Sequence, residues 1–390
     1  MKLFRNPLGV IFLTVMIDLL GWGIVIPILP TYAQRLGASG TTVGLLGTTF
    51  SAMQFLFSPA WGRLSDRVGR RRVIMVTAMG SVIAYVAYGL ADSLWILFGA
   101  RALGGLCAAN ISTAQAYIAD VTTKETRARG MAIVGAGFGL GFVFGPAMSA
   151  MAAHHWGYRA PFFLAAGLAA INVAWAAIAL PEPERRGSTA RSERSLSDAM
   201  AIPNLAFYLM VFLVVTLGFA NVESTFALWT SHELGFAEKQ NAYLFTFIGI
   251  VLTSVQLLAT RRLSARYGDA KLIVAGTALL GVGAMLLPMS TAWWQLLIPC
   301  ALLASGNAVN SPSLMASISN SAPVDRQGEM LGVAQSVGAI GRIVGPGLGG
   351  FLFDHAGHAW PYRTAAVLML GVSLAVTARS RRGRDTPTAR

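Results

Sequence analysis

Long apolar runs separated by short polar loops dominate this chain. Runs of roughly 17–25 residues are long enough for a helix to cross the hydrocarbon core of a bilayer. The pattern therefore predicts an all-α integral membrane protein with twelve transmembrane helices, numbered here as spans 1 to 12. The twelve spans are Leu8–Leu29, Thr42–Trp61, Val73–Ala91, Leu94–Ile118, Gly130–Ala152, Ala160–Leu180, Leu205–Leu228, Asn241–Thr260, Leu272–Met289, Trp293–Ser317, Met330–Phe353 and Pro361–Thr377.

Lysine and arginine are divided unevenly between the two sets of loops. With the N-terminus placed inside, 24 of the 30 basic residues fall in inside segments and four in outside segments. The remaining two, Arg101 and Arg342, lie within spans. Basic residues accumulate in cytoplasmic loops, so we expect a multi-pass protein of the cell (inner or plasma) membrane with both termini in the cytoplasm.

The composition agrees with a membrane protein and narrows the function classes. The chain is 55% hydrophobic and 12% charged, about half the charged fraction of a soluble domain. The net charge of +13 follows from this topology, so it gives no reason to expect nucleic acid as a partner.

Cys107 and Cys300 lie in apolar runs, and His and Cys show no metal-binding spacing; we predict no disulfide framework, metal site or cofactor. The first apolar run is too long for a cleavable signal peptide.

Two motifs return in the second half at nearly the same offset. RLSDRxG at 63–69 recurs as RLSARxG at 262–268, and GxxxGP at 141–146 recurs at 341–346. The offsets of 199 and 200 predict a duplicated unit of six helices. The stretch between spans 6 and 7 is rich in charge, serine and proline, which is typical of a flexible linker. The predicted domains are two pseudo-symmetric six-helix bundles at 1–180 and 203–378, a cytoplasmic linker at 181–202 and a basic cytoplasmic tail at 379–390.

The segment 62–72, GRLSDRVGRRR, joins spans 2 and 3 and has the composition of an ionic latch. Gly69 can take the positive φ of a tight turn. Asp66 could face the positive N-terminus of a neighbouring helix, and the arginines could pair with it and with other acids. The second copy has Ala265 in place of Asp66, so only the first copy is a candidate latch. Alternatively, the arginines only set the topology.

The same segment resembles the signature between helices 2 and 3 of the major facilitator superfamily. Span 1, with Asp18 followed by GWGIVIPILP at 21–30, is similar to helix 1 of its tetracycline-type drug:proton antiporters. The resemblance covers nearly the whole chain and implies parallel six-helix halves and proton-coupled export of a small molecule by alternating access. It implies a monomer whose partners are the substrate, protons and lipid. The cytoplasmic gate implied by the resemblance consists of Gly62, Leu64, Asp66, Arg67, Gly69, Arg70, Arg71 and Asp120.

Four charged residues within spans are candidates for chemistry. Asp18 lies about eleven residues into span 1, where a carboxylate costs about 2.5–3.5 kcal/mol; it must pair, line a watery cavity or bind a proton. Arg101 is its expected partner by the resemblance, although a purely structural pair or a snorkelling acid would also explain the residues. Glu223 could snorkel, whereas mid-span Arg342 must face protein or a cavity. The predicted substrate and proton-coupling residues are Asp18, Arg101, Glu223, Arg342, Asn307, Asn310, Gln54 and Gln256.

Spans 5 and 11 carry repeated small residues that resemble the helix-5 motif of antiporters. Small residues four positions apart allow close helix approach, and proline bends a helix. These residues could seal or pivot the two halves, or they could serve tight packing alone. The predicted helix-packing positions are Gly141, Gly145, Pro146, Gly341, Gly345, Pro346, Gly349 and Gly350.

The chain lacks two acids that tetracycline exporters carry. It has Ala84 in span 3 and no acid in span 9, where tetracycline exporters carry functional acids, which argues against tetracycline as the substrate.

Three other functions compete with drug export. A metabolite or organic-anion transporter could use Arg101 and Arg342 for binding. A membrane-embedded enzyme is disfavoured because all five histidines fall in predicted outside loops. A receptor without transport would not need charged residues in both halves.

Overall fold

Helices make up the computed structural model, which describes residues 7–108, 111–121, 127–182, 196–323 and 326–385. A π-helical turn, Gln256–Thr260, joins α11 to α12, and a 3₁₀ turn, Leu287–Met289, follows α13. The α-helices are α1 (Pro7–Val25), α2 (Leu29–Arg35), α3 (Gly40–Val68), α4 (Arg70–Leu90), α5 (Leu94–Ala108), α6 (Ile111–Val121), α7 (Arg127–Trp156), α8 (Ala160–Ala179), α9 (Leu196–Met200), α10 (Pro203–Leu234), α11 (Glu238–Val255), α12 (Arg261–Tyr267), α13 (Asp269–Leu286), α14 (Leu297–Ser321), α15 (Gln327–His355) and α16 (Trp360–Asp385).

The predicted spans coincide with these helices. In the described part of the chain, seven helices are each long and apolar enough to cross a membrane, and the pair α1 and α2, bent by 42°, is an eighth. Pro27 lies in the bend and cannot donate a backbone hydrogen bond. Span 2 lies within α3, span 4 runs through α5 and α6, span 5 lies within α7, and span 10 coincides with α14 except for its first residues.

The chain divides into two compact units. The first comprises Met1–Arg191 and Gly235–Gly249, and the second comprises Ser192–Leu234 and Ile250–Arg390. The first part of α11 thus groups with the first unit, although the sequence predicts it in the second bundle. The contact between Arg35 and Glu238 lies within the first unit; the guanidinium and the carboxylate are 2.8 Å apart. The predicted linker contains the helix α9, and α16 continues into the predicted tail.

Each unit uses the same packing pattern. In the first unit α1 packs on α7 and α8, and α4 packs on α5 and α8. In the second unit α10 packs on α15 and α16, and α13 packs on α14 and α16. The order of the helices along the chain is the same in both patterns, as a duplicated six-helix unit requires.

Repeated glycine turns support the duplication independently. Positive φ is a conformation that residues with a Cβ rarely adopt. In the described ranges the glycines with positive φ form three pairs at offsets of 198, 199 and 200 residues: Gly37 and Gly235, Gly69 and Gly268, and Gly157 and Gly357. The backbone turns, and not only the motifs, therefore repeat.

One end of the first unit carries an arginine over an aromatic ring. Arg35, two residues before Gly37, places its guanidinium 4.9 Å from the ring centre of Tyr158. Tyr158 directly follows Gly157. The two glycine turns thus bring a cation and an aromatic face together, an attractive arrangement at this distance.

The equivalent corner of the second unit holds an acid and a histidine. Glu233 lies two residues before Gly235, and His358 directly follows Gly357. The carboxylate and the imidazole Nδ1 are 2.7 Å apart. The corner that is occupied by an arginine and a tyrosine in the first unit is therefore occupied by a carboxylate and an imidazole in the second.

Candidate functional site

Arg70 is the centre of a charge network at the arginine-rich end of the first unit. Its guanidinium lies 2.7 Å from the Asp66 carboxylate and 3.0 Å from that of Asp120. It also donates to the Ser65 hydroxyl at 2.6 Å. The turn at Gly69 places Arg70, the first residue of α4, beside the last turn of α3. The structure thus brings three of the predicted gate residues, Asp66, Arg70 and Asp120, together.

A carboxylate caps the N-terminus of α4, and it belongs to Glu182. The backbone N–H of Arg70 donates to Glu182 Oε1 at 2.6 Å, where the helix dipole favours negative charge. A methyl group on Gly69 would lie 2.7 Å from the same oxygen. Tyr117 supports this arrangement by donating to the carbonyl of Pro181 at 2.9 Å. Glu182 is not among the predicted gate residues; its signal in the sequence is a Pro-Glu pair directly after span 6.

The other predicted gate residues line the surroundings of this network. Arg71 donates to the carbonyl of Ala177 at the end of α8, and Leu64 is exposed. Gly62 and Arg67 lie in the last two turns of α3. A cavity of about 450 Å³ lies beside the α4 N-terminus, lined by Val68, Gly69, Arg71, Arg72, Met75 and Glu182.

The second unit has a similar turn, but the first residue of the helix that follows it carries the opposite charge. Ser264 donates to Asp269 at 2.7 Å, the counterpart of the bond between Ser65 and Arg70 in the first unit. The first residue of the following helix is thus an acid in one repeat and an arginine in the other. Since Ala265 replaces the latch acid, the two ends are chemically different.

Asp18 shares its part of the first unit with two tyrosines and an arginine. The Asp18 carboxylate interacts electrostatically with Tyr85, which also interacts with Arg101 and Tyr88. A methyl group on Gly21 would lie 2.8 Å from the Tyr85 hydroxyl, so the ring of Tyr85 reaches α1 within one turn of Asp18. Tyr88 forms a hydrogen bond with Arg101. Tyr85 and Tyr88, which are not among the predicted site residues, therefore interact with the predicted charges.

Arg101 is further held by α3. Its Nε donates to the carbonyl of Leu46 at 3.1 Å, and its guanidinium lies 4.5 Å from the ring centre of Phe50. Gln54, one turn farther along α3, donates to the carbonyl of Ala108 at 3.2 Å. Two of the predicted site residues, Arg101 and Gln54, therefore connect α3 and α5.

Glu223 and Arg342 form the corresponding charged group in the second unit. Glu223 lies on α10 and acts electrostatically on Arg342 of α15. Both side chains are only partly buried. An acid and a base on two packed spans can exchange partners when a proton or an ion arrives.

The predicted amides lie in three different settings. Asn310 is buried where α14 packs on α13, and a methyl group on Gly276 would lie 2.7 Å from its Cβ. Asn307 is partly buried on α14, and Gln256 is exposed at the start of the π-helical turn. Within the described residues, these amides therefore do not form a common site with Glu223 and Arg342.

The predicted glycines on α7 lie where it packs against α1. A methyl group on Gly141 would lie 2.7 Å from the carbonyl oxygen of Leu19, and one on Gly145 would lie 2.6 Å from the carbonyl carbon of Gly23. Gly23 itself packs directly on the backbone of Gly141. These backbones approach so closely that no side chain fits between them.

The glycines on α15 have the same role against α10. A methyl group on Gly341 would lie 2.9 Å from the backbone nitrogen of Leu217, and one on Gly345 would lie 2.7 Å from the carbonyl oxygen of the same residue. Gly349 packs on Asn221. Pro146 and Pro346 lie inside α7 and α15, each of which is one continuous helix, and Gly350 follows on α15.

Arg326 joins the short helix α9 to the start of α15. Its guanidinium donates to Glu329 at 2.9 and 3.0 Å and to Asp198 at 2.9 Å. The bonds to Glu329 and then to Asp198 raise the pKa of Arg326. In the described ranges, no three His, Cys, Asp or Glu side chains converge in a way that could hold a metal ion.

Comparison with known proteins places these features in a family. The sequence matches the model of the Major Facilitator Superfamily over residues 11–261 and 208–390. Multidrug resistance protein 2 of Bacillus subtilis (strain 168) is 30% identical over 376 residues, which are 93% of this chain and 92% of that protein. Tetracycline resistance protein, class C, of Escherichia coli is 31% identical over 355 residues, which are 88% of each chain.

Solved structures have the same fold. The nucleoside transporter NupG has a TM-score of 0.77 at 12% identity, covering 98% of this chain and all of that one. The human organic anion transporter MFSD10 (TETRAN) has a TM-score of 0.71 at 24% identity, covering 96% and 99%. With this fold and these matches, the chain is a multi-pass membrane transporter and belongs to the Major Facilitator Superfamily.

Proposed function

We propose that this transporter exports amphipathic organic cations in exchange for protons by alternating access. It acts as a monomer in the cell membrane with both termini in the cytoplasm. The names of the relatives, which are multidrug and tetracycline resistance proteins, support export of a toxic compound. The excess of basic residues in one set of loops supports the orientation.

The observation that carries the proposal is the position of Asp18. A carboxylate on a membrane span is costly as an ion, and this one interacts electrostatically with Tyr85, which also interacts with Arg101. Such a carboxylate can bind a proton or attract a cation. Once it is protonated it is neutral, so it attracts the cation only weakly. Competition between the two for one acid couples proton entry to cation release.

Arg101 supplies the positive charge that favours the ionised form of Asp18 in this mechanism. An arginine stays protonated, so it stabilises Asp18 as an ion and loses that interaction when Asp18 is neutral. Glu223 and Arg342 give the second unit a similar pair, with Glu223 as an assisting proton carrier. One proton crossing 100 mV supplies about 2.3 kcal/mol, which supports roughly a fifty-fold gradient.

The substrate class follows from the acids that are present. Ala84 is fully buried on α4, and its position is the one where the tetracycline exporters carry a further acid by the resemblance. Among the described residues, the group around Asp18 therefore offers one carboxylate, with the rings of Tyr85 and Tyr88 in the same group. This chemistry suits a monovalent cation with apolar surface.

The test is flux into inverted vesicles containing the purified protein, with and without an imposed pH gradient. Tetraphenylphosphonium, tetracycline and the anion fluorescein serve as probes. We expect gradient-driven accumulation of tetraphenylphosphonium that Asp18→Asn abolishes, while downhill exchange persists. The matched control is Asp92→Asn, which removes an exposed acid in the loop between α4 and α5 and should leave flux unchanged.

Two results would overturn the proposal. Full gradient-driven flux in Asp18→Asn would move proton coupling to Glu223 or elsewhere. Accumulation of fluorescein instead of the cation, lost in variants of Arg101 or Arg342, would indicate an organic-anion transporter.

A further inference from the structure

We propose that Tyr85 is a positioning residue for Asp18, whose charged carboxylate accepts a hydrogen bond from the Tyr85 hydroxyl. The bond holds the carboxylate in its ionised form and thereby sets the pH at which Asp18 exchanges its proton. This inference rests on the proposed role of Asp18 in proton coupling, and it adds a residue that controls that site.

The geometry of α1 and α4 brings the two side chains to the same place. Gly21 follows Asp18 by three residues, so the two positions share one face of α1. A methyl group on Gly21 would lie 2.8 Å from the Tyr85 hydroxyl oxygen and 3.1 Å from the adjacent ring carbon. The hydroxyl of Tyr85 therefore lies against α1 only because position 21 carries no side chain.

The neighbouring groups have contacts of their own. Arg101 is engaged with the Leu46 carbonyl, the Phe50 ring and Tyr88. α7 meets α1 through glycines, and α8 meets it through the neutral Asn172, which donates to the Thr14 carbonyl at 3.0 Å. The titratable and charged groups that act at this place are Asp18, Tyr85, Tyr88, Arg101 and Cys107.

A hydroxyl donor favours one protonation state of the acid. A charged carboxylate accepts the bond strongly, whereas a protonated carboxyl gains less from it, so the donor stabilises the ion. Replacing tyrosine by phenylalanine keeps the ring and removes only the donor. Half-protonation of Asp18 should then occur at a pH higher by about one unit, as expected for loss of a hydrogen bond to a charged group.

The experiment titrates Asp18 directly and needs no transported compound. Infrared difference spectra of the reconstituted protein follow the carbonyl stretch of protonated carboxyl groups as a function of pH. The spectrum of Asp18→Asn identifies the band that belongs to Asp18. We expect Tyr85→Phe to move the midpoint of this band upward by about one pH unit.

A second variant displaces the hydroxyl without removing it. Gly21→Ala places a methyl group 2.8 Å from the Tyr85 hydroxyl, which must move away, so the variant should move the midpoint in the same direction. The matched control is Gly99→Ala on α5, where a methyl group meets open space and the midpoint should stay unchanged. Tyr88→Phe removes the hydroxyl that bonds Arg101 and should shift the midpoint less than Tyr85→Phe does.

The results separate this inference from the proposed function. Unmoved midpoints in both Tyr85→Phe and Gly21→Ala would overturn the positioning role, even if Asp18→Asn abolishes proton-driven flux. An equal shift in Tyr88→Phe would also overturn it, because the effect would then not belong to Tyr85. Full proton-driven flux in Asp18→Asn would instead refute the proposed function, whatever the midpoints show.

Discussion

Single side chains within the spans carry the chemistry of this transporter. Asp18 and Arg101 in the first unit and Glu223 and Arg342 in the second are the charged residues that the described spans place away from the loops. Each charged side chain there is costly, so we expect each to have a partner or an aqueous path. Asp18 and Arg101 both interact with Tyr85, whereas Arg342 has Glu223 as an electrostatic partner.

Arg342 is expected to be reachable from water. In a variant without Cys107 and Cys300, a cysteine in place of Arg342 should react with a membrane-impermeant thiol reagent, because the side chain is only partly buried. The measurement is labelling of protein in inverted and right-side-out vesicles. A cysteine in place of Ala334, which is fully buried on the same helix, is the matched control and should stay unlabelled. Equal protection of both positions would make Arg342 a structural residue.

At the scale of helices, close glycine contacts determine the packing of α1 on α7. Gly141→Ala would force a methyl group to within 2.7 Å of the Leu19 carbonyl oxygen. Backbone cannot move aside as a side-chain end can, so we expect a loss of about 1–3 kcal/mol in stability. Thermal unfolding in detergent measures it. Gly167→Ala on α8, where the methyl group meets open space, should be neutral or slightly stabilising; similar losses in both variants would contradict the packing role.

The network around Arg70 predicts a functional defect with little structural cost. Asp66 is partly exposed, with 40% of its side chain accessible, so Asp66→Asn should leave expression and thermal stability nearly unchanged. We expect proton-driven flux to fall several-fold, because Arg70 loses its charged partner on α3 and keeps only the Ser65 hydroxyl there. Flux in reconstituted vesicles is the readout, with Asp92→Asn as a control. An unfolded or fully active Asp66→Asn protein would contradict the latch.

The sequence predicts a contact of this site when both residues belong to one motif, and it does not when they lie far apart along the chain. Asp66 and Arg70 are four residues apart in a recognisable motif, so their proximity could be predicted. Glu182 is 112 residues from Arg70 along the chain, and an acid after an apolar run does not by itself indicate which helix it caps. The position of the Tyr85 hydroxyl depends on the absence of a side chain at Gly21. This close approach is visible only in the packed helices.

At the scale of the molecule, the two repeats differ in the contact that they make at the same corner. In the second unit, His358 Nδ1 lies 2.7 Å from the Glu233 carboxylate, and the ring centre of His232 lies 4.8 Å from that of His358. In the first unit, the guanidinium of Arg35 lies over the Tyr158 ring. The repeat therefore preserves the turns and changes the side chains that meet there.

The contribution of this contact can be measured as a change in stability. We expect His358→Gln to lower the thermal stability only slightly, because the pair is partly exposed, at 38% and 45% of the side chains, and contributes at most about 1 kcal/mol. Thermal unfolding in detergent is the measurement. A much larger loss would contradict the description of this contact as a minor surface pair.

The grouping of Gly235–Gly249 with the first unit affects how the protein is made. A chain leaves the ribosome from its N-terminus, and domains generally fold as they emerge. The first unit, however, is complete only after the linker, α10 and the start of α11 have been synthesised, when Glu238 becomes available to Arg35. This contact of the first unit therefore forms only after part of the second unit has been synthesised. A nascent chain that stops at the linker contains Arg35 without the carboxylate that contacts it in the complete protein.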